Sequence, residues 1–309
     1  MKNNAYLLWL HWPESCFDLT ASDLKAFRSY VPKGSRVTAV KTERAFLKAL
    51  PGATHAIVWS FREEWFARAK NLRNLITPAA GHELLPENAP AGVRIAFGHF
   101  HGKIIAESVA GFMLAWAHGF FCGGVGKMKY EDYRIWMADR CYTISGTKAL
   151  IVGYGHVGKA IGSQLEAFGV TVAGFGRKNI KNLPQAAKDA DWIIFALPGT
   201  PETDNLLNAA LIDRLPRRAV VINVGRGNCI DEVALKAALK TGKIAGAYLD
   251  VCKGEKSEIW ANAAARRDES LIDPLDPKVP NLVVMPHSAA FTPSYLAASF
   301  KGMKDDGVI

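Results

Sequence analysis

Cysteine is scarce in this chain. Cys16, Cys122, Cys141, Cys229 and Cys252 are five among 309 residues, scattered and without a CxxC spacing. A disulfide framework needs paired cysteines and a structural zinc site needs clustered ones. Both are excluded, no metal site is expected, and reduced thiols in a cytoplasmic protein are. Long apolar runs are nearly absent. The opening MKNNAYLLWLHWPES has six apolar residues in a row, too few for a signal-peptide core. Ser108 to Val125 is eighteen residues without formal charge, but it holds four glycines and His118 and is flanked by Glu107 and Lys127. With no second span to partner it, a long helix buried between domains or at a subunit interface is expected instead of a membrane anchor. Dense basic clusters are missing too. The net charge is +9, yet the longest basic runs, GRKNIK and RLPRR, are short. No basic stripe for nucleic acid emerges, and small anions drawn to a positive cleft account for the same charge.

What is present is regular alternation. At 49% hydrophobic and 22% charged, the composition is that of a globular chain long enough for two cored domains. AYLLWL, RVTAVK, HAIVWS, NLITPAAG and VRIAFG read as strands. SDLKAFRSYV with a Ser/Asp cap, TERAFLKAL with Thr42 as cap, and EEWFARAKN read as helices between them. The pattern repeats from KALIVG through VTVAGF, DWIIFAL, AVVINVG, KIAGAYLD and LVVMP, with DEVALKAALKTGK a helix stopped at Gly242. Strands alternating with helices through short loops predict α/β architecture, two doubly wound parallel sheets, with ligands outside the carboxyl ends of the strands. With two such units, the expected active site is the cleft between them.

Gly153, Gly155 and Gly158 form GxGxxG between the apolar strand ALIV and the helical HVGKAIGSQLEAF. In that setting the first glycine makes the tight turn, the second lets backbone approach a pyrophosphate, and the third packs helix on strand. A dinucleotide is expected. NAD would require an acid at the end of the next strand for the ribose 2′-hydroxyl. That strand reads VTVAGFGRKN, with Gly176 in the acid's place and Arg177 and Lys178 after it. Without a carboxylate to repel a 2′-phosphate, and with a guanidinium to grip it, NADP (NADPH) is the expected cofactor, with NAD possible.

VVINVGRGN, residues 220–228, poses a separate question: a buried strand runs into an arginine held between two glycines. The motifs DWIIFALPGTPETDNLLN, VVINVGRGNCIDEVALKAAL, GKIAGAYLDV and VVMPHSAA, following the glycine loop in that order, resemble the D-isomer-specific 2-hydroxyacid dehydrogenases over about residues 95–290. The AIVW strand and ITPAAG loop look most like the glyoxylate/hydroxypyruvate reductase branch. The resemblance implies a Rossmann dinucleotide-binding domain, residues 100–287, inserted into a flavodoxin-like substrate domain, residues 1–99 and 288–309. It also implies a role for the arginine. Arg226 would bind the substrate carboxylate and polarise the adjacent carbonyl, since a guanidinium offers paired donors to both.

By the same resemblance His287 is the general acid/base, and a glutamate hydrogen-bonds its imidazole. Glu255 holds that position in LDVCKGEKSE, with Lys256 where the family has proline, and Glu258 is a rival if the loop shifts. The remaining implied contacts to the cofactor are Tyr154, His156, Val157, Leu197, Pro198, Val224, Gly225, Asp250 and Ser288. Ala80 and Gly81 would help hold the substrate carboxylate by backbone, and Trp59 or Phe61 would wall the pocket. The family usually has a short loop where KSEIWANAAARRDES stands, and only 22 residues follow His287, short for a returning helix. The expectation is an NADPH-dependent, homodimeric reductase of small 2-oxo acids such as glyoxylate or hydroxypyruvate. The alternatives are a dehydrogenase of a larger or phosphorylated 2-hydroxy acid and a dinucleotide-sensing, corepressor-like binding protein.

Overall fold

The computed structural model describes residues 4–82, 84–121, 129–253 and 279–309, which form two compact units. Unit 1 comprises Met1–His101 and Phe291–Ile309. Its elements are β1 (Ala5–Trp9), α1 (Ala21–Tyr30), β2 (Arg36–Ala39), α2 (Glu43–Ala49), β3 (His55–Val58), β4 (Asn74–Ile76) and β5 (Arg94–Ala96). All strand pairs are parallel, in the order β2-β1-β3-β4-β5. On one face Leu7 and Val58 pack with Phe46, Phe61, Trp65 and Leu75. On the other, the Tyr6 ring meets Phe27 of α1 edge-on at 5.6 Å.

Three sequence expectations change here. The cap of α1 is Thr20, not Ser22 or Asp23. Its Oγ1 accepts from the Asp23 amide at 3.1 Å while the Asp23 carboxylate accepts from the Thr20 amide at 3.1 Å. This capping box satisfies two otherwise unpaired amides at once. The segment EEWFARAKN forms a 3-10 helix over Glu63–Arg68. Bonds such as Trp65 N to Arg62 O at 3.0 Å wind it tightly and turn Trp65 onto Phe46 and Phe61.

Unit 2, Gly102–Ala290, holds all but the first residue of α3 (His101–Ala117), then α4 (Tyr130–Ala138), β6 (Lys148–Val152), α5 (His156–Ala167), β7 (Thr171–Phe175), α6 (Leu183–Ala186) and β8 (Trp192–Phe195). It continues with α7 (Ala209–Ile212), β9 (Val220–Asn223), α8 (Glu232–Lys240), β10 (Gly246–Leu249) and β11 (Leu282–Val284). The parallel sheet runs β11-β10-β9-β8-β6-β7. Both of its faces are covered: Ile193 and Phe195 point into one apolar layer, Trp192 and Ile194 into the other. That is why the central strands are apolar throughout and do not alternate with polar residues.

The uncharged run of the sequence is largely α3. Val109, Met113 and Ala117 are fully buried in the second layer, so its apolar character belongs to the core of unit 2. Among the described residues no helix is long and apolar enough to cross a membrane. Asp231 caps α8 through its carboxylate on the Val233 and Ala234 amides. The Lys243 amide bonds Ala238 O and the Gly242 amide Leu239 O, the paired stop expected at Gly242. The third change returns to unit 1. The helix thought too short to return is present as α9 (Tyr295–Asp305), and its Phe300 packs on Phe27 of α1 at 4.9 Å.

Candidate active site

The parallel register of unit 2 puts Phe175, Val152, Phe195, Asn223, Leu249 and Val284 in one row across the carboxyl edge of the sheet. Gly176, Gly153, Ala196, Val224, Asp250 and Met285 each come one residue past that row. The site residues expected from the sequence in this unit therefore leave neighbouring strand ends, although they lie far apart in the chain.

Gly153 has φ +99°, and a Cβ there would lie 2.5 Å from the Ala196 carbonyl oxygen. Only glycine turns the chain here without strain. A Cβ at Gly158 would strike the Gly153 carbonyl, whereas one at Gly155 would meet nothing within 4 Å. The amides opening α5 thus face open space, with no side-chain cap on the helix. A cradle of this kind fits a pyrophosphate at a helix N-terminus. His156 is exposed at the first position of α5, beside half-buried Val157. Tyr154 turns onto the sheet: its ring lies over Gly174, and its hydroxyl would be 2.8 Å from a Cβ at Gly162. Past β7, Asn179 closes a turn, accepting from the Gly176 amide at 2.8 Å and donating to Gly174 O at 2.9 Å. The turn leaves Arg177 and Lys178 exposed, and a Cβ at Gly176 would meet nothing.

The arginine between glycines has a local physical cause. A Cβ at Gly225 would come 2.6 Å from both N and O of Leu197, and one at Gly227 would overlap the Cys252 carbonyl group. The loop after β9 is therefore wedged between the backbones of the loops after β8 and β10. Asn223, fully buried, sets its shape. Its Oδ1 accepts from the Gly225 amide at 3.1 Å and its Nδ2 donates to Arg226 O at 3.0 Å. The half-buried Arg226 side chain passes Gly199, where a Cβ would be 3.2 Å from its Cγ, and Nη1 donates to Gly225 O at 2.8 Å. Gly227→Ala is expected to lower stability by about 3 kcal/mol, because the obstructing atoms are the backbone of Cys252 and Lys253, which cannot swing aside as a side chain can. A urea midpoint equal to wild type would show that the loop relaxes freely.

His287 has φ +56°, a conformation that costs a non-glycine residue on the order of 1 kcal/mol. Asp250, 3% exposed, holds it there. The Asp250 carbonyl accepts from the His287 amide at 2.9 Å, and its Oδ1 accepts from Ser288 N and Ala289 N, each at 2.9 Å. Ser108 of α3 adds a bond to Ala289 O at 2.7 Å. The Asp250 amide in turn donates to Asn223 O at 2.9 Å. Hydrogen bonds therefore run without a break from Arg226 through Asn223 and Asp250 to His287.

Sequence reasoning missed Asn223 and gave Asp250 only a cofactor contact. The signal was faint: an amide in an otherwise apolar strand end, and an acid closing the next one. Glu232, 1% exposed, was missed as well. It accepts from the Lys253 amide at 2.7 Å, tying down the chain just past β10. Burial pushes the Cys229 thiol above its usual range. Glu255 and its rival Glu258, together with the 256–270 insertion, lie outside the described residues. Among the described residues no group of three or more His, Cys, Asp or Glu is placed to hold a metal.

In unit 1, β3 and β4 run side by side, which places Trp59 and the segment leading to Ala80 and Gly81 past adjacent strand ends. Buried Thr77 joins them: its hydroxyl donates to Trp59 O at 3.5 Å and accepts from the Ala79 amide at 3.2 Å. Ala80 is exposed and Gly81 half-buried. Trp59 is 8% exposed and Phe61 4%, the latter inside the core against Phe46 and Trp65.

Residues 112–289 match the family model described as D-isomer specific 2-hydroxyacid dehydrogenase, NAD binding domain. The chain is 29% identical over 266 residues to a glycerate dehydrogenase of Methylorubrum extorquens, covering 80% of this chain and 79% of that protein. Its fold matches a D-isomer specific 2-hydroxyacid dehydrogenase of Lactobacillus delbrueckii solved with NAD, at TM-score 0.76 and 19% identity over 99% of this chain and 96% of the other. It also matches an NADPH-dependent glyoxylate/hydroxypyruvate reductase of Sinorhizobium meliloti, at TM-score 0.66 and 21% identity over 97% and 92%. The family model spans more than half of the chain, including the glycine cradle and the loops of Arg226 and His287. The chain belongs to the D-isomer specific 2-hydroxyacid dehydrogenase family, nicotinamide-dependent oxidoreductases acting on CH-OH groups.

Proposed function

We propose that this protein reduces small 2-oxo acids of the glyoxylate and hydroxypyruvate kind to D-2-hydroxy acids, with NADPH as the preferred donor. The observation that carries this reading is the hydrogen-bonded run from Arg226 to His287 along the strand ends beside the glycine cradle. A bound dinucleotide would supply a hydride to the carbonyl carbon. Arg226 would hold the carboxylate and draw charge onto the carbonyl oxygen, and His287 would give that oxygen its proton. Glu255 is assigned to the imidazole. Leu197, Pro198, Val224, Gly225, Asp250 and Ser288 are assigned to the nicotinamide end, and Gly153 to Gly158 to the pyrophosphate. The backbone at Ala80 and Gly81 is assigned to the carboxylate, in a substrate domain formed by unit 1. Following NADPH oxidation with a panel of 2-oxo acids tests the reading, and no turnover of any of them would reject it.

The cofactor preference rests on Gly176, Arg177 and Lys178. The Thr200 hydroxyl first, then the Glu202 backbone amide and the Arg177 cation, hold the exposed Glu202 carboxyl below its usual range. A charge-assisted bond to a 2′-phosphate contributes about 1.5–3 kcal/mol, so kcat/KM with NADPH should exceed that with NADH by roughly 10- to 100-fold. Arg177→Ala should erase most of that preference. Gly176→Asp, with open space for its side chain, should turn it toward NADH. Equal use of both cofactors by the wild type would leave Arg177 and Lys178 as solvated bases. A cytoplasmic homodimer completes the proposal. Phe120 at 78%, Tyr130 at 70% and Ile135 at 64% exposure, beyond α3 and on α4, offer apolar surface to a second copy.

A further inference from the structure

The helix α8 opens with an inversion. Glu232, its first residue, is 1% exposed, while Val233 beside it is 54% exposed. Burying a carboxylate and exposing a valine both cost stability, so the carboxylate needs a compensating partner. Asp231 already caps the helix on the Val233 and Ala234 amides, so Glu232 is not the cap. Its Oε1 accepts instead from the Lys253 amide at 2.7 Å, 21 residues away. Lys253 is held at its other end as well, where Nζ donates to Asn205 Oδ1 at 2.6 Å. Asn205 sits at φ +49°, and its amide donates to Asn228 O at 2.8 Å. Leu207 N on Cys229 O at 3.0 Å and Asp231 N on Leu207 O at 2.9 Å lace the same two segments together. Hydrogen bonds thus run from Glu232 through Lys253 and Asn205 back to Asn228, two residues past Arg226.

Arg226 is therefore held from both directions along the chain. Upstream, Asn223 bonds the Gly225 amide and the Arg226 carbonyl. Downstream, a Cβ at Gly227 would lie 2.1 Å from the Cys252 carbonyl carbon and 2.4 Å from the Lys253 amide nitrogen, the atom that donates to Glu232. The placing of the Lys253 amide decides where Gly227, and with it Arg226, can lie. A guanidinium must meet carboxylate and carbonyl in one orientation, and a misplacement of about 1 Å can cost about 100-fold in rate. We propose that Glu232 is a positioning residue for Arg226, acting through the Lys253 amide and Gly227, with the Lys253–Asn205 bond as its support. The proposal rests on the role assigned to Arg226 in the reading above. The inversion at Glu232 and Val233 then has a reason: the acid serves the Arg226 loop at the expense of apolar burial.

A double-mutant cycle tests this, read as kcat and kcat/KM for whichever 2-oxo acid the wild type turns over best, with urea midpoints measured alongside. Glu232→Leu removes the acceptor and should lower kcat per folded molecule by about 10- to 100-fold, with the KM for the cofactor nearly unchanged. Glu232→Gln keeps an acceptor oxygen and should recover most of the loss. In an Arg226→Ala background, Glu232→Leu should cost less than about threefold in kcat/KM, because residues that act as a unit are not additive. A merely structural role would lower the urea midpoint without moving kcat per folded molecule, and that result overturns the proposal. Equal losses in the two backgrounds overturn it as well. Should Glu232→Leu fail to fold, Lys253→Met goes through the same cycle, since it removes the bond to Asn205 and keeps the backbone amide. A loss of about 3- to 10-fold that vanishes beside Arg226→Ala then supports the proposal, and an unchanged kcat overturns it. Turnover of no 2-oxo acid by the wild type overturns the reading of Arg226 itself, and the proposal with it.

Discussion

Replacing Arg226 by alanine should lower kcat/KM for a 2-oxo acid by about 30- to 1000-fold, through a higher KM and a lower kcat together. The estimate follows from losing a charged hydrogen bond in a desolvated site, worth roughly 2–4 kcal/mol when it acts on developing charge. The structure makes the experiment clean. The shape of the Arg226 turn comes from Asn223 bonding the Gly225 amide and the Arg226 carbonyl, and from two glycines wedged between neighbouring loops. Alanine keeps all of these backbone contacts. Stability should therefore change little while activity falls, the reverse of Gly227→Ala. Arg226→Lys should recover only a small part, because an ammonium cannot present two parallel donors to a carboxylate. Near wild-type turnover in Arg226→Ala would reject the assignment.

His287→Gln should lower reductive kcat by about 10²- to 10⁴-fold, the usual range for a lost general acid. Direction matters as well as size. Reduction consumes a proton, so the wild-type reductive rate should fall as the medium becomes alkaline. Oxidation of the 2-hydroxy acid should run the other way. In His287→Gln both dependences should flatten. A reductive pH profile with unchanged shape in the variant would place the acid elsewhere. Glu255→Gln offers the companion measurement. If it leaves the reductive profile where it was, Glu255 does not touch the imidazole and Glu258 becomes the residue to test.

Much of this was readable in the chain because the informative interactions are local. The glycine cradle, and the turning of successive strand residues into two apolar layers, each depend on residues within a few positions of one another. GxGxxG between a strand and a helix, and alternating layers such as Trp192 to Phe195, leave clear traces. What stayed hidden depends on partners brought in from afar. Asp250 takes the amides of Ser288 and Ala289 across 38 and 39 residues, and no spacing rule connects them. Asn223 looked like one polar residue in an apolar strand because its partners are backbone groups. Thr20 displaced Ser22 and Asp23 as the cap of α1 because a reciprocal pair outcompetes a single acceptor.

The bonds joining Arg226 to His287 also bear on how such a protein can change over generations. Both proposed reacting groups belong to unit 2, and their mutual placement is set by Asn223 and Asp250 of the same unit. The residues expected to meet the rest of the substrate, Trp59, Ala80 and Gly81, all belong to unit 1. Mutations that explore new acids can thus accumulate in one part of the gene while the part encoding the reacting pair is left alone. A library randomised only at the exposed Ala80, proposed to act through its backbone, should then yield active clones at a high rate. One randomised at Asn223 and Asp250 should yield mostly dead ones.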